Sequence, residues 1–569
     1  QENEPCRYTT LHGYEYSSNE LSQMFHRNVI FKGPTTSMPL LPFGAVRPDT
    51  ALNPQNGNDD WDLFDHLNLL CKAIPGCDVL TIPHNSNLSD GRMFLPMEDS
   101  GVPLGRKLDS TDVYFPMTAA DARLRRTLDR AVEITQHKGQ SECAVGLEGD
   151  YLDGEESACD FEINKSVCRG LATDPPTCAV FCTGDPLTDP GFCGHRSEGN
   201  NLVDACVSPG PDGRSRPAGD PGAGGTGNCT HPLDYYRNAM AEGLAIKQTL
   251  GVNPYKANVV AATDTHNGIS GNADERNFVG HGGVLDDEPR ELLGFWACDT
   301  GDPADPASCT NRRFLDFART LNPGGLAGVW AAENTRNEIW NAIHRGESWG
   351  TSGPRIKVRT VGGWALPEDV CDQLSSGVNP VETGAAEGAL MGGDLPLPAA
   401  AGAPAIAVWA QQDPESHPLQ QIDVIKGFVD AEGRPRVKVF ANVARTSDPV
   451  ERPAIEDCSV RVGNHPEELC TVWRDPEFDP AADAYYYARV LEIPSCRWSA
   501  WQCNVDKNVD CGALDPANGM FPEASGFAGY EGCCAIDGEP GSFRGRNTFV
   551  TIEERAWASP IWYEADSGG

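Results

Sequence analysis

Residues 258–268 read Asn258-Val259-Val260-Ala261-Ala262-Thr263-Asp264-Thr265-His266-Asn267-Gly268, a short apolar run that stops at a carboxylate and an imidazole two residues apart. Such a run reads as a buried strand, and the strand period of two puts the Asp264 and His266 side chains on one face. So placed, the pair can grip one metal ion, or one ion and its bound water. The same residues can also be a plain polar closure of a strand end, so the neighbouring stretches have to decide.

Upstream, a helix is predicted from about Leu233 to Leu250, stopped by Gly251-Val-Asn-Pro254 and leading straight into that strand. Residues 60–76, with Trp61, Leu63, Phe64, Leu67, Leu70 and Ile74, read as a helix, and Cys77–Asn85 follows as a strand tipped by His84 and Asn85. Thr118-Ala-Ala-Asp121 resembles a capping box, with Leu124, Leu128, Ala131, Val132 and Ile134 at helical spacing behind it. Arg7–Tyr16 is rich in β-formers and reads as a strand with Glu15 near its end. In Met24–Phe31 the polar His26-Arg27-Asn28 is wedged between apolar neighbours. A buried polar group without a partner costs about 1–3 kcal/mol, so this triplet needs either core partners or a ligand. Strand, helix, strand alternation implies a parallel sheet or a β/α barrel.

Residues 140–231 break that pattern with Gly, Pro and eight cysteines between Cys143 and Cys229, which predicts a disulfide-stapled insertion, either a lid or surface decoration. Downstream, Gly325–Trp330 reads as a strand, a helix starts at Asn334-Thr335-Arg336 and ends near Arg345-Gly346, and Gly350–Pro354 is a turn cluster closing the α/β region. From 354 to 569 short alternating runs such as Ile356–Val361, Val437–Phe440 and Tyr485–Ile493 predict a β-rich, sandwich-like domain, with residues 380–405 as an extended connection.

Composition narrows the function. At 569 residues the chain is too long for one core, and about 150 residues per domain suggests two to four units. No apolar run approaches the roughly 18 residues of a membrane span. The formal charge of −37 repels polyanions, which argues against a nucleic-acid partner. The 21 cysteines lack a repeated Cys-x-x-Cys knuckle, so disulfides in an oxidising compartment are expected: secreted, periplasmic or cell-surface. Sequons begin at Asn87, Asn164 and Asn228. Gln1 opens directly into polar sequence, which predicts a processed or truncated product.

Glu15, His26, His84, Asp264 and His266 are thus a series of carboxylates and imidazoles, at least three of them at predicted strand ends, where active sites form in parallel β/α architectures. In order, Gly13-Tyr-Glu15-Tyr-Ser-Ser, His26-Arg-Asn-Val-Ile-Phe, Ile82-Pro-His84-Asn85, Asn253-Pro-Tyr-Lys256, Thr263-Asp264-Thr-His266, Gly328–Arg336, Thr351–Arg355, Met391-Gly-Gly-Asp394 and Tyr486–Pro494 resemble an uncharacterised secreted bacterial family of unknown function. That family is itself similar to the PHP (polymerase and histidinol phosphatase) superfamily of metal-dependent phosphoesterases, and the likeness runs from about Tyr8 to Tyr563.

The resemblance implies, for residues 1–353, a distorted PHP-like β/α barrel with its N-terminal strands missing. It makes Glu15 the bridging carboxylate, His26 and His84 the middle ligands, and Asp264 with His266 the closing pair. The implied metals are two or three divalent Zn, Mn or Fe ions, with Ca²⁺ a further candidate for the acidic surface. Asp264, His266 and His84 are the expected catalytic residues. Arg27 and Arg336 are candidates to hold a small anionic substrate, and Asn85 and Asn267 to orient ligands from behind. His281 is a loop histidine within reach by sequence. The superfamily's opening His-x-His and a later Asp-His pair are absent ahead of Glu15, which leaves three alternatives: an N-terminal segment has been removed, a separate N-terminal fragment of the same precursor supplies the ligands, or the product is an inactive remnant. The functional expectation is a secreted phosphoesterase using metal-bound hydroxide. Hydrolysis of another ester or amide would use the same residues, and the alternative is a non-enzymatic extracellular structural or binding protein.

Overall fold

The computed structural model describes residues 9–18, 25–33, 60–89, 91, 93–95, 97, 101–107, 114–143, 151–154, 158–159, 161–162, 195–198, 201–204, 207–209, 215–217, 232–266, 268–278, 292–293, 296–297, 313–314, 321–397, 402–447, 449–463, 465–515, 520–534 and 550–565. The chain is mixed α/β. Its N-terminal part contains β1 (His12–Ser18), β2 (Phe25–Phe31), α1 (Asp60–Leu67), β3 (Val79–Pro83), α2 (Ala119–Leu128), β4 (Ala131–Glu133), α3 (Tyr236–Leu250) and β5 (Asn258–Val260).

Strands β1, β2 and β3 form an antiparallel sheet in which Ser17 opposes His26 and Arg27 opposes Pro83. A parallel bridge from Thr81 to Asp129 and parallel pairing of β4 with β5 extend the arc. Thus β1, β3, β4 and β5 all point one way and only β2 runs back. The alternation of side chains then sorts the residues. Val29, Phe31, Val79, Val132, Val259 and Ala261 join a core with α1 and α3. Ile30, Leu80, Ile82, Ala131 and Val260 face the other side and pack under Trp340 and Ile343.

The arc stays open: among the described residues no sheet closes into a barrel. The antiparallel β1–β2 hairpin also departs from the all-parallel order expected from strand and helix alternation, because two strands joined by a loop pair directly without a crossover helix. The capping box is present as predicted. The Thr118 hydroxyl accepts from the Asp121 N–H, and the Asp121 carboxylate accepts from the Thr118 N–H. The helix it starts ends at Leu128, however, and Val132 and Ile134 lie in an extended segment rather than on a continued helical face.

The C-terminal part comprises β6 (Leu326–Val329), α4 (Arg336–Arg345), β7 (Ser348–Thr351), β8 (Lys357–Ala365), β9 (Glu387–Leu390), β10 (Ala405–Gln411), β11 (Leu419–Val429), β12 (Pro435–Arg445), β13 (Glu468–Arg474), β14 (Ala484–Glu492), β15 (Arg555–Ala558) and β16 (Ile561–Tyr563). They form a seven-stranded sheet, β6-β7-β15-β14-β11-β12 with β16 on β14, and a four-stranded sheet, β9-β8-β10-β13. The sheets sandwich a core including Val358, Ile406, Val408, Ile422, Val424, Tyr486 and Val490. Residues 380–405 are not a plain connection, since they contribute β9.

The outer face of the seven-stranded sheet, with Ile425, Val437, Tyr485, Tyr487 and Trp557, shares the core of the N-terminal arc. Ser348 Oγ donates to the Val259 carbonyl and the Val259 N–H donates to Ser559 Oγ, so β5 is held directly by that sheet. Strands on both sides of residue 353 therefore join one sheet. Gly346, which ends α4 with φ +88°, allows this contact, because a Cβ there would stand 2.4 Å from the Gly392 Cα.

Six disulfides lie among the described residues: Cys71–Cys77, Cys143–Cys159, Cys371–Cys470, Cys458–Cys496, Cys503–Cys533 and Cys511–Cys534. They agree with an oxidising location. No helix among the described residues is long and apolar enough to cross a membrane. Within 140–231 the described residues include the strand pairs 195–198 with 201–204 and 207–209 with 215–217, and the stretch stapled by Cys143–Cys159. Most of the rest of that insertion, the sequons at Asn164 and Asn228 among it, lies outside the described residues, and so does any test of its role as a lid. Asn87 is buried, donating to the Lys138 carbonyl and accepting from the Ser141 hydroxyl, so its sequon is not open for glycosylation in the folded chain.

Candidate metal centre

Because β1, β3, β4 and β5 share a direction, their C-terminal halves reach one edge of the arc, and β2 begins there. This single fact assembles the site. Glu15 from β1 and His26 from the start of β2 lie on the same face, and His26 Nδ1 is 2.9 Å from Glu15 Oε1. His84 directly follows β3, its N–H donating to the His26 carbonyl, and its Nε2 is 3.8 Å from the same carboxylate oxygen. Asp264 and His266 follow β5. Two groups result whose donor atoms all lie within 4.8 Å of one another, Glu15 with His26 and His84, and Glu15 with Asp264 and His266. Glu15 belongs to both.

The donor set fits a divalent metal. Two ligand atoms each about 2.1 Å from a tetrahedral ion stand about 3.4 Å apart, and the 2.9 and 3.8 Å separations at Glu15 bracket that spacing. His84 Nε2 is buried without a hydrogen-bond partner, a costly arrangement that a bound metal would relieve. Burial drives the His84 imidazole down to about 4, so it stays neutral and can ligate. Burial alone would raise the Glu15 carboxyl, but hydrogen bonds from His26 and Ser17, and the charge that His84 carries only below about 4, outweigh it and hold the group at about 2. The Glu15 side chain keeps 26% of its surface open and the His26 side chain 12%, so a small substrate can reach them.

Four further side chains enter the site from the end of β4 and the segment after it, and none was singled out in the sequence. Glu133 ends β4 with its Oε1 3.8 Å from His84 Nδ1. Burial, and then the charge of Asp264, push its carboxyl well above the usual range. Gln136 donates to Asp264 Oδ2 at 3.0 Å and lies 3.4 Å from His84 Nδ1. His137 Nε2 is 3.4 Å from Asp264 Oδ2, and the Lys138 ammonium contacts the same oxygen. Against the raising effect of burial, His137, Lys138 and His84 together keep Asp264 ionised. The available signal was the two-residue alternation Val132-Glu133-Ile134, which marks a strand as well as it fits a helix.

Asp264 and Asn85 adopt left-handed backbone, φ +56° and +57°, a conformation that Asp and Asn tolerate better than other side chains and that clusters at functional sites. Asn85 is fully buried behind His84, and its amide has no hydrogen-bond partner among the described residues. Arg27 points away from His26, as alternation requires, and forks to Asp129 in the core with its guanidinium over Phe64. Arg336 is the first residue of α4 and donates to the Thr10 carbonyl. Neither arginine is brought to the cluster. Asn267 and His281 lie outside the described residues.

Fold and site define a mixed α/β protein with a shared-carboxylate ligand cluster at one edge of a strand arc. A family profile described as "Protein of unknown function (DUF3604)" matches residues 1–177 and 221–513, and the chain belongs to that family. No curated protein and no solved structure matches it.

Proposed function

We propose that this chain is a metal-dependent hydrolase of an oxidising, extracellular setting, and that it acts on a phosphoester. The observation that carries the reading is Glu15, one ionised carboxylate common to two ligand groups, as a bridging ligand between two ions has to be. His plus carboxylate donors suit Zn, Mn or Fe, whereas Ca²⁺ takes about 6–8 oxygens. The likeness of the motif order to the PHP superfamily supports phosphoester over carboxylic ester, and in this reading the open arc is part of a PHP-like barrel.

Glu15, His26 and His84 would hold one ion, and Glu15, Asp264 and His266 a second. An ion so held supplies Lewis acidity toward a phosphoryl oxygen and toward water. The chain's own groups do the rest. Gln136 and His137 hold the Asp264 carboxylate in place, and Glu133 stands behind His84 with its Oε1 3.8 Å from Nδ1, the nitrogen that has to carry the ring proton if Nε2 is to ligate.

The test is metal content together with turnover of an aryl phosphate and an aryl phosphodiester in the wild type, His84→Ala and Asp264→Ala. Near-stoichiometric transition metal and its loss in both variants, with turnover falling at least about 100-fold, is expected. Unchanged turnover in both variants would sink the reading. Bound Ca²⁺ alone would favour a non-enzymatic binding protein.

A further inference from the structure

Lys138 is the cation that the sequence left unnoticed. It sits at the turn of a short hairpin, Thr135–Gln136 paired with Gly139–Gln140, which is fastened on every side. The His137 N–H donates to the Thr263 carbonyl, the Asn322 N–H donates to the His137 carbonyl, and Asn87 Nδ2 donates to the Lys138 carbonyl. The Lys138 N–H donates to Gln136 Oε1, and the Gln136 amide in turn donates to Asp264. A long, flexible side chain is thereby launched from a rigid base toward Asp264, which is its one carboxylate partner among the described residues.

An ammonium beside a carboxylate within a ligand cluster has two consequences. First, it competes with a divalent ion for that carboxylate, since both draw on the same negative charge. Secondly, when the carboxylate coordinates an ion, the ammonium's attraction to it weakens, and the ammonium is left beside the ions as a hydrogen-bond donor that requires an anion. Its side chain keeps 15% of its surface open, which is enough for contact with a bound group. The two arginines expected to hold an anion are engaged elsewhere, in the core and at the start of α4.

We infer that Lys138 is the specificity-determining cation of this site, competing with the metal for Asp264 and binding the anionic oxygen of the substrate. The inference rests on the reading of the site as a metallohydrolase. It names the substrate class more closely, as one carrying a full negative charge beside the scissile bond, such as a phosphomonoester or phosphodiester rather than a neutral ester.

The sign of one measurement separates this from a merely structural lysine. A residue that supports a ligand costs about 10–100-fold in metal affinity when removed. A competitor does the opposite. In the full chain, titration with Zn²⁺ against a chromogenic chelator should give Lys138→Met an affinity about tenfold higher than wild type, the factor for about 1.4 kcal/mol of competition removed. Binding of inorganic phosphate to the zinc-loaded chain should weaken about tenfold in Lys138→Met and be retained in Lys138→Arg, which keeps the charge. Lys138→Gln, which keeps a polar side chain, provides the same comparison should Lys138→Met fail to fold. Lower zinc affinity in the neutral variant, or unchanged phosphate affinity, overturns this inference alone. Absence of zinc binding by the wild type overturns the metallohydrolase reading and this inference with it.

Discussion

Arg489 on β14 and Glu142, four residues past Lys138, form a fully buried ion pair, Nη1 to Oε1 at 3.2 Å, that ties the site hairpin to the seven-stranded sheet. The same guanidinium holds Asp423 at 3.0 Å on the neighbouring strand. The Tyr487 hydroxyl and the Trp557 indole N–H donate to the two Glu142 oxygens, so both oxygens of that carboxylate are hydrogen-bonded. A buried network so completed stabilises little against an apolar replacement of the whole, but its partial removal is severe.

Arg489→Met should therefore cost about 3–5 kcal/mol, because it leaves two carboxylates buried without their cation. Urea unfolding followed by tryptophan fluorescence measures it. A loss under about 1 kcal/mol, the worth of an exposed ion pair, would contradict the buried network.

The pH dependence of stability has a defined sign at Glu492. Burial raises its carboxyl from 4.5 to about 8, against hydrogen bonds from Ser416 and His417 that lower it. Below its ordinary value both folded and unfolded chains carry the proton, and the stabilising effect is fully present. Between that value and about 8 only the folded chain binds the proton, so stability falls as pH rises and levels off above about 8. Glu564 runs the other way. Burial would raise it, but Lys256, Lys247 and Arg126 hold it at about 2, so its contribution is lost as pH falls from 4.5 toward 2. Urea midpoints at about pH 5 and about pH 9 should show a loss of a few kcal/mol in the wild type that is reduced in Glu492→Gln. Equal slopes in the two proteins would rule out this assignment.

The disulfides should differ in worth according to the loop each closes. Cys371 and Cys470 are separated by 99 residues, and Cys71 and Cys77 by 6. Constraint of the unfolded chain grows with loop length, so the double Cys371→Ala, Cys470→Ala variant should lose about 2–4 kcal/mol, and the Cys71→Ala, Cys77→Ala variant less. Guanidinium unfolding of both variants checks the order, and a larger loss from the short loop would reverse it.

Much of this architecture was legible in local signals. The strand leading into His84, the helix stopped by Gly251, the capping box at Thr118 and the helix ending at Arg345-Gly346 all depend on neighbours in sequence, and all are present. The strand expected to carry Asp264 and His266 on one face stops at Val260, and Asp264 follows in left-handed backbone, so the two-residue period does not place that pair. The pairing of β1 with β2 was not legible, because register between strands is set by side-chain burial across the sheet. Glu133, Gln136, His137 and Lys138 were missed for a different reason. Val132 and Ile134 continue the apolar spacing of α2 closely enough to hide a three-residue strand, and a strand that short carries almost no period of its own. The direction of Arg27 followed from its neighbour, since a His26 that faces the site on a strand sends residue 27 into the core.

The central claim is that Glu15 serves two ligand groups at once, and metal stoichiometry of Glu15→Ala tests it most directly. Elemental analysis of the purified full chain after saturation with Zn²⁺ and removal of excess should find near-stoichiometric metal in the wild type. In Glu15→Ala it should find almost none, with His26→Ala retaining part because it touches only one group. Wild-type stoichiometry in Glu15→Ala would contradict the shared carboxylate and the site built on it.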